Sequence, residues 1–163
     1  MTDFSIGSPA QTCALCGKAL EPGTQAASFL LDDVASAVRV DMHAAEAASW
    51  QPPRLVICRW NRMVREKGET PAAAARSAAA EMEAMLLALA SNGDSGGNSG
   101  AVLMHLLALA LERRRILKSR KDAPGTYLHV ASGEIIHAPE PRGMTRADLF
   151  AAAMKLSAPS KGA

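Results

Sequence analysis

Two cysteines two residues apart, Cys13-Ala-Leu-Cys16, followed at once by Gly17 and Lys18, are the most chemically specific feature of the chain. The spacing lets both sulfurs face one ion across a tight turn, and glycine suits the backbone such a turn requires. A lone C-x-x-C is half of a zinc site, so a second pair of ligands has to be found. The chain holds only three cysteines and no second C-x-x-C. At a suitable distance stands Asp41-Met-His43-Ala-Ala-Glu46, in which His43 and Glu46 are three residues apart and share a face if the segment turns helical. The candidate set is Cys13, Cys16, His43 and Glu46. Because closed structural zinc sites favour sulfur and nitrogen over carboxylate, Cys58 competes with Glu46 for the fourth place.

This constellation admits three readings: a structural zinc site, a metal-free remnant with buried cysteines, or a catalytic or redox centre. The structural reading is preferred, since a small module short of core gains folding free energy directly from a metal. The βαβ context of a redox C-x-x-C is missing. Zn2+ is accordingly the expected cofactor, and no catalytic residue is assigned. His129 and His137 fall on the arms of one expected hairpin and read as a surface pair. His105 falls away from the apolar stripe of its helix and reads as solvated. No phosphate-binding loop, dinucleotide fingerprint, nucleophile elbow or H-E-x-x-H is present.

Charge supplies a second kind of candidate. The net value of +2 conceals a division: residues 1–50 carry an excess of acid, whereas residues 54–67 and 113–121 are basic. Residues 54–67, together with Arg113, Arg114, Arg115, Lys118, Arg120 and Lys121, could grip phosphates, which makes nucleic-acid binding through both segments the alternative function. The competing explanation is pairing of the basic segments with the acidic one inside the fold. Aromatics that would stack bases are missing nearby, Tyr127 excepted.

The elements that must position these residues can be read from pattern. Ala26 to Leu31 and Ala37 to Val40 read as a β-hairpin after the Pro22-Gly23 turn. An alanine-rich helical turn covers Met42 to Ser49, and Leu55 to Trp60 fits either a strand or a helix start. Thr70-Pro71 marks a helix running to about Ala90, with Ala78, Met82, Met85, Leu86 and Leu89 on its inner face. Residues 91–100 have the composition of a flexible tether. A second helix is expected from Ala101 to about Lys121, its buried stripe made by Val102, Leu103, Leu106, Leu109, Ala110, Ile116 and Leu117. Tyr127 to Val130 and Glu134 to His137 form a second β-hairpin, and Thr145 caps a last helix ending near Leu156.

With these elements in place the chain resembles short uncharacterised bacterial proteins that carry a zinc-ribbon-like N-terminal module. The likeness rests on C-x-x-C-G, a P-G turn, two short strands and Arg39-x-Asp41-x-His43-x-x-Glu46, with His43 and Glu46 where that pattern usually has two cysteines. It extends to the apolar-then-basic stretch Leu106 to Lys118. The resemblance implies metal binding and no known catalytic activity.

Length and composition fit this picture. Of 163 residues 48% are hydrophobic, yet 33 are alanine and only six are aromatic. Alanine favours helix while burying little area. The expected fold is therefore α+β and mainly α: a zinc-ribbon-like module over residues 1–60, then a helical region over 61–163 made of a helical hairpin, a short β-hairpin and a terminal helix. The N-terminus lacks the basic and apolar regions of a secretory signal, which predicts a cytoplasmic protein. The longest apolar run is far short of the roughly 20 residues needed to span a bilayer. The function expected is non-enzymatic: a metal-stabilised interaction or regulatory module with a protein partner, nucleic acid being the second possibility.

Overall fold

The structure is a computed structural model and describes residues 6–93 and 97–157. In chain order its elements are β1 (Gln25–Leu31), β2 (Val38–His43), α1 (Ala44–Ala47), β3 (Val56–Met63), α2 (Pro71–Asn92), α3 (Gly97–Arg113), β4 (Leu117–Ser119), β5 (Thr126–His129), β6 (Ile135–His137) and α4 (Arg146–Ser157). The first three strands form an antiparallel sheet in the order β2-β1-β3, and the last three form a second sheet in the order β4-β5-β6. The expectation of a mainly helical fold is thereby corrected: two three-stranded sheets share the chain with the helices. The ambiguous segment around Leu55 is a strand, and it straddles residue 60, so the first sheet draws on both regions of the expected division.

The first sheet separates two apolar clusters. Leu30, Cys58 and Trp60 pack with Met82, Met85, Leu86 and Leu89 of α2 and with Val102, Leu103, Leu107 and Leu111 of α3. Ala27, Phe29, Leu31, Met42 and Val64 form the second cluster with Cys13 and Leu20, and Trp50 closes it edge-on against Phe29. Period-two alternation along β1 thus feeds two cores from one strand.

Helix α2 starts as Thr70-Pro71 predicts. The Thr70 hydroxyl accepts the Ala73 N–H at 3.2 Å, and Pro71 takes the first helical position. Helix α3 departs from expectation at both ends. It begins at Gly97, so most of the described part of the expected tether is helical, residues 94–96 lying outside the described residues. It ends at Arg113 in a turn where Ile116 N–H donates to Leu111 O at 3.0 Å, with Arg115 at φ 61°. That six-to-one bond is the helix stop usually built on glycine, and here arginine occupies the left-handed position. Leu117 and Lys118 consequently enter β4 rather than continuing the helix. The buried positions of α3 include Leu107, Ala108, Leu111 and His105, in place of the expected Leu106, Leu109 and Ala110.

The β4-β5-β6 sheet contains the second expected hairpin and adds β4 to it, pairing Leu117 with His129 and Tyr127 with Ile136. Helix α4 begins as a reciprocal cap: Asp148 N–H donates to the Thr145 hydroxyl at 3.2 Å, and Thr145 N–H to the Asp148 carboxylate at 2.7 Å. Among the described residues no helix is long and apolar enough to cross a membrane.

Candidate metal centre

The knuckle is made by its backbone. Cys13 N–H donates to Lys18 O at 2.8 Å and Gly17 N–H to Cys13 O at 2.9 Å, with Gly17 at φ 69°. Ala14 N–H then donates to the carbonyl of Asp41 at 3.0 Å, which docks the knuckle on β2. At the end of that strand His43 stands immediately before α1, whose single turn lifts Glu46 onto the same side.

The result is convergence. One ligand atom from each of Cys13, Cys16, His43 and Glu46 lies within 4.8 Å of all the others, so the group could hold a metal ion. Cys13 Sγ lies 2.8 Å from Glu46 Oε2, and His43 Nδ1 lies 3.5 Å from both Cys16 Sγ and Glu46 Oε2. Zinc bonds of about 2.0–2.3 Å arranged tetrahedrally put neighbouring donors roughly 3.3–3.8 Å apart, a spacing this quartet brackets. His43 Nε2 faces the carbonyl of Ala19 at 3.3 Å. That carbonyl holds the proton on Nε2 and leaves the Nδ1 lone pair aimed at the sulfurs, the outer-shell device of metal-bound histidines. The donor chemistry and spacing therefore fit zinc.

Electrostatics divide the four: Cys13 and Glu46 lose their protons more readily than usual, Cys16 and His43 less readily. Burial and the Glu46 bond push the Cys13 thiol up, but backbone groups of Cys16, His43 and Leu15 outweigh them and hold it below its ordinary value. For Cys16 the backbone of Lys18 pulls down, while desolvation and its neighbours Cys13 and Glu46 prevail and raise it. Desolvation opposes charge on His43, yet Cys13 and the Ala19 carbonyl raise its pKa; bonds from Cys13 and Cys16 lower that of Glu46. A metal ion would have to displace the protons that Cys16 and His43 hold.

Cys58 takes no part. It pairs in register with Leu30, whereas His43 pairs with Ala26, four residues or about 13 Å further along β1. Its thiol is buried against α2, 3.7 Å from Met85 O, and burial pushes its pKa up to about 12.

The site is braced by a charged network. Arg39, Asp41 and Arg62 project from one face of the sheet, where Asp41 receives Arg39 at 3.0 Å, Arg62 at 3.1 Å and the Ser28 hydroxyl at 2.5 Å. Arg39 continues to Glu81 of α2, which also accepts the Trp60 indole N–H at 2.8 Å. Ala10 N–H donates to Asp41 at 2.9 Å, and Arg62 and Arg39 donate to the carbonyls of Ala10 and Gly7. Sequence reading missed this network, although Arg39-x-Asp41 at strand spacing was a visible signal.

The basic candidates do not gather on one surface element. Arg113 closes α3, Arg114 reaches the Met82 sulfur at 3.0 Å, Arg115 forms the turn, Lys118 lies on β4, and Arg120 pairs with Asp122, two residues before Pro124. In the other basic segment Arg54 pairs with Asp33, Arg62 with Asp41 and Arg65 with Glu69. Tyr127, the one aromatic near the run, is buried. His105 and His129, both expected in solvent, are buried as well: His105 Nδ1 lies 3.5 Å from Ala138 O, and His129 meets Glu83 and Ser132. Their helix and strand faces are set by packing across long sequence separations rather than by local periodicity. His137 is exposed, with Nδ1 3.2 Å from the Thr126 hydroxyl. No family model, curated protein or solved structure matches the chain.

Proposed function

We propose that Cys13, Cys16, His43 and Glu46 hold a structural zinc ion, and that the chain is a metal-stabilised interaction module. The observation that carries this reading is the placement of His43, its Nδ1 facing Cys16 and Glu46 while its Nε2 is engaged by Ala19 O. Zinc would displace the ligand protons and tie the knuckle, β2 and α1 together, supplying cohesion to a part of the chain with few bulky side chains. A protein partner fits better than a polyanion, because Arg54, Arg62 and Lys155 are spent on Asp33, Asp41 and Asp32 within the fold. Phe150 and Met154, one turn apart on α4, expose 62% and 55% of their surface and offer an apolar contact.

The test is the metal content of protein purified without added metal. Wild type and Cys58→Ser retain zinc, whereas Cys13→Ser and His43→Ala lose it. Full retention in the latter two overturns the assignment. A heparin column separates the partner classes: retention that falls steeply with salt would favour nucleic acid.

A further inference from the structure

Ser132 in the loop between β5 and β6, His129 at the end of β5 and Glu83 of α2 stand in series, and the metal centre uses none of them. His129 N–H donates to Glu134 O and Gly133 N–H to His129 O, each at 2.8 Å, closing a tight loop over residues 130–133. Within it the backbone N–H of Ser132 donates to His129 Nδ1 at 3.2 Å. Nδ1 therefore carries the lone pair and Nε2 the proton, and Nε2 lies 2.9 Å from the Glu83 carboxylate of α2. The Ser132 hydroxyl lies 2.7 Å from that same Nδ1. The order is serine, imidazole with a fixed tautomer, carboxylate. A nucleophile in reach of a base, and a base oriented by a third group, is the arrangement that activates a hydroxyl for acyl transfer.

Exposure suits the roles. The His129 side chain is 6% exposed and its Glu83 partner 32%, whereas Ser132 is open to solvent. Val130 and Ile135, two residues before it and three after it in sequence, are exposed by 58% and 44%. Glu134 lies 3.1 Å from the hydroxyl and offers a second acceptor for its proton.

We infer that Ser132 is an activated nucleophile that accepts acyl groups from small carboxylic esters. Its oxygen attacks the ester carbonyl carbon while His129 Nδ1 takes the hydroxyl proton. Collapse of the tetrahedral adduct breaks the bond to the leaving oxygen, which receives that proton and departs as the alcohol. Water, deprotonated by His129, then cleaves the acyl-serine, releasing the carboxylic acid and restoring Ser132. Glu83 is a positioning residue: it holds the ring and its tautomer. The inference does not depend on the metal reading.

The probes are an alkyl fluorophosphonate and 4-nitrophenyl acetate, applied to the full chain. Peptide mass mapping is expected to place the phosphonyl adduct on Ser132 in preference to the exposed Ser119, and Ser132→Ala abolishes it. His129→Gln slows labelling by about 10²–10⁴-fold, the range of general-base assistance. Because His129 is buried, Glu83→Gln at the partly exposed end provides the second variant; it lowers kcat for the acetate ester with KM unchanged. Absence of an adduct at Ser132 in wild type overturns the inference. So does an equal labelling rate in wild type and Glu83→Gln.

Discussion

Asp41 reaches the knuckle and the helical layer at once: its main-chain carbonyl accepts Ala14 N–H at 3.0 Å, and its buried carboxylate accepts the Arg39 guanidinium at 3.0 Å. Through Arg39 and Glu81 the candidate metal centre is joined to α2. Removing one partner of a buried ion pair leaves the other uncompensated, at a cost of about 3–5 kcal/mol. Asp41→Ala is therefore expected to lose stability on that scale in urea unfolding. Because the strand that ends at His43 is loosened as well, zinc affinity should fall by roughly 10–100-fold, the usual effect of an outer-shell change.

The same carboxylate sets an acid limit. Burial pushes the Asp41 pKa up, but the bonds and charge of Arg39, with Ala10 N–H and Ser28, overcome it and leave the group below its ordinary value of 3.8. A depressed folded-state pKa contributes stability that is complete above the unfolded value and is lost as pH falls through the folded one. Urea midpoints measured in the presence of chelator should hold from neutral pH to about pH 5 and fall below about pH 4. The fall should be smaller in Asp41→Asn.

Of the four candidate ligands, Glu46 is the type that closed zinc sites use least, since sulfur and nitrogen dominate them. Glu46→Cys would supply a third sulfur from the same helical turn. Competition against a chromophoric chelator should show tighter zinc binding in Glu46→Cys than in wild type, and weaker binding in Glu46→Ala. Equal affinity in all three would place the fourth donor elsewhere.

These residues were legible because their spacing is local. C-x-x-C and His43-x-x-Glu46 need only a turn and one helical turn, and the β1-β2 hairpin between them is announced by its turn signal and strand pattern. Thr70-Pro71 and Thr145-x-x-Asp148 likewise declare their caps within four residues. What stayed hidden depends on distant partners. The strand character of Val56–Met63 is settled by pairing with β1, which begins about thirty residues earlier. His129 is defined by Glu83 across 46 positions. The end of α3 was hidden for another reason: its stop uses arginine where sequence reading looks for glycine.

Cys58 should be chemically silent in the folded chain. Its thiol is 3% exposed and its pKa is pushed up to about 12 by burial, which leaves almost no thiolate near neutral pH. Without a bound metal, iodoacetamide should modify the exposed Cys16 first, the buried Cys13 more slowly because burial outweighs its lower pKa, and Cys58 only on global unfolding. Peptide mass mapping over an alkylation time course reads this order. Early labelling of Cys58 would mean that the packing of β3 on α2 opens locally.

Arg115 stores removable strain. Its φ of 61° lies in the left-handed region, which costs a side-chain-bearing residue roughly 1–2 kcal/mol and glycine almost nothing. The turn it makes is nevertheless enforced, because Ile116 must bond back to Leu111 for Leu117 to enter the second sheet beside His129. Arg115→Gly relieves the native conformation but also gives the unfolded chain more freedom, an opposing effect of about 0.4–1 kcal/mol. The expected balance is a gain of about 0.5–1 kcal/mol in urea unfolding, with an unchanged m-value. Arg115→Val, which is β-branched and resists positive φ, should lose stability. If Arg115→Gly instead destabilised the chain, the guanidinium would have to make contacts worth more than the strain.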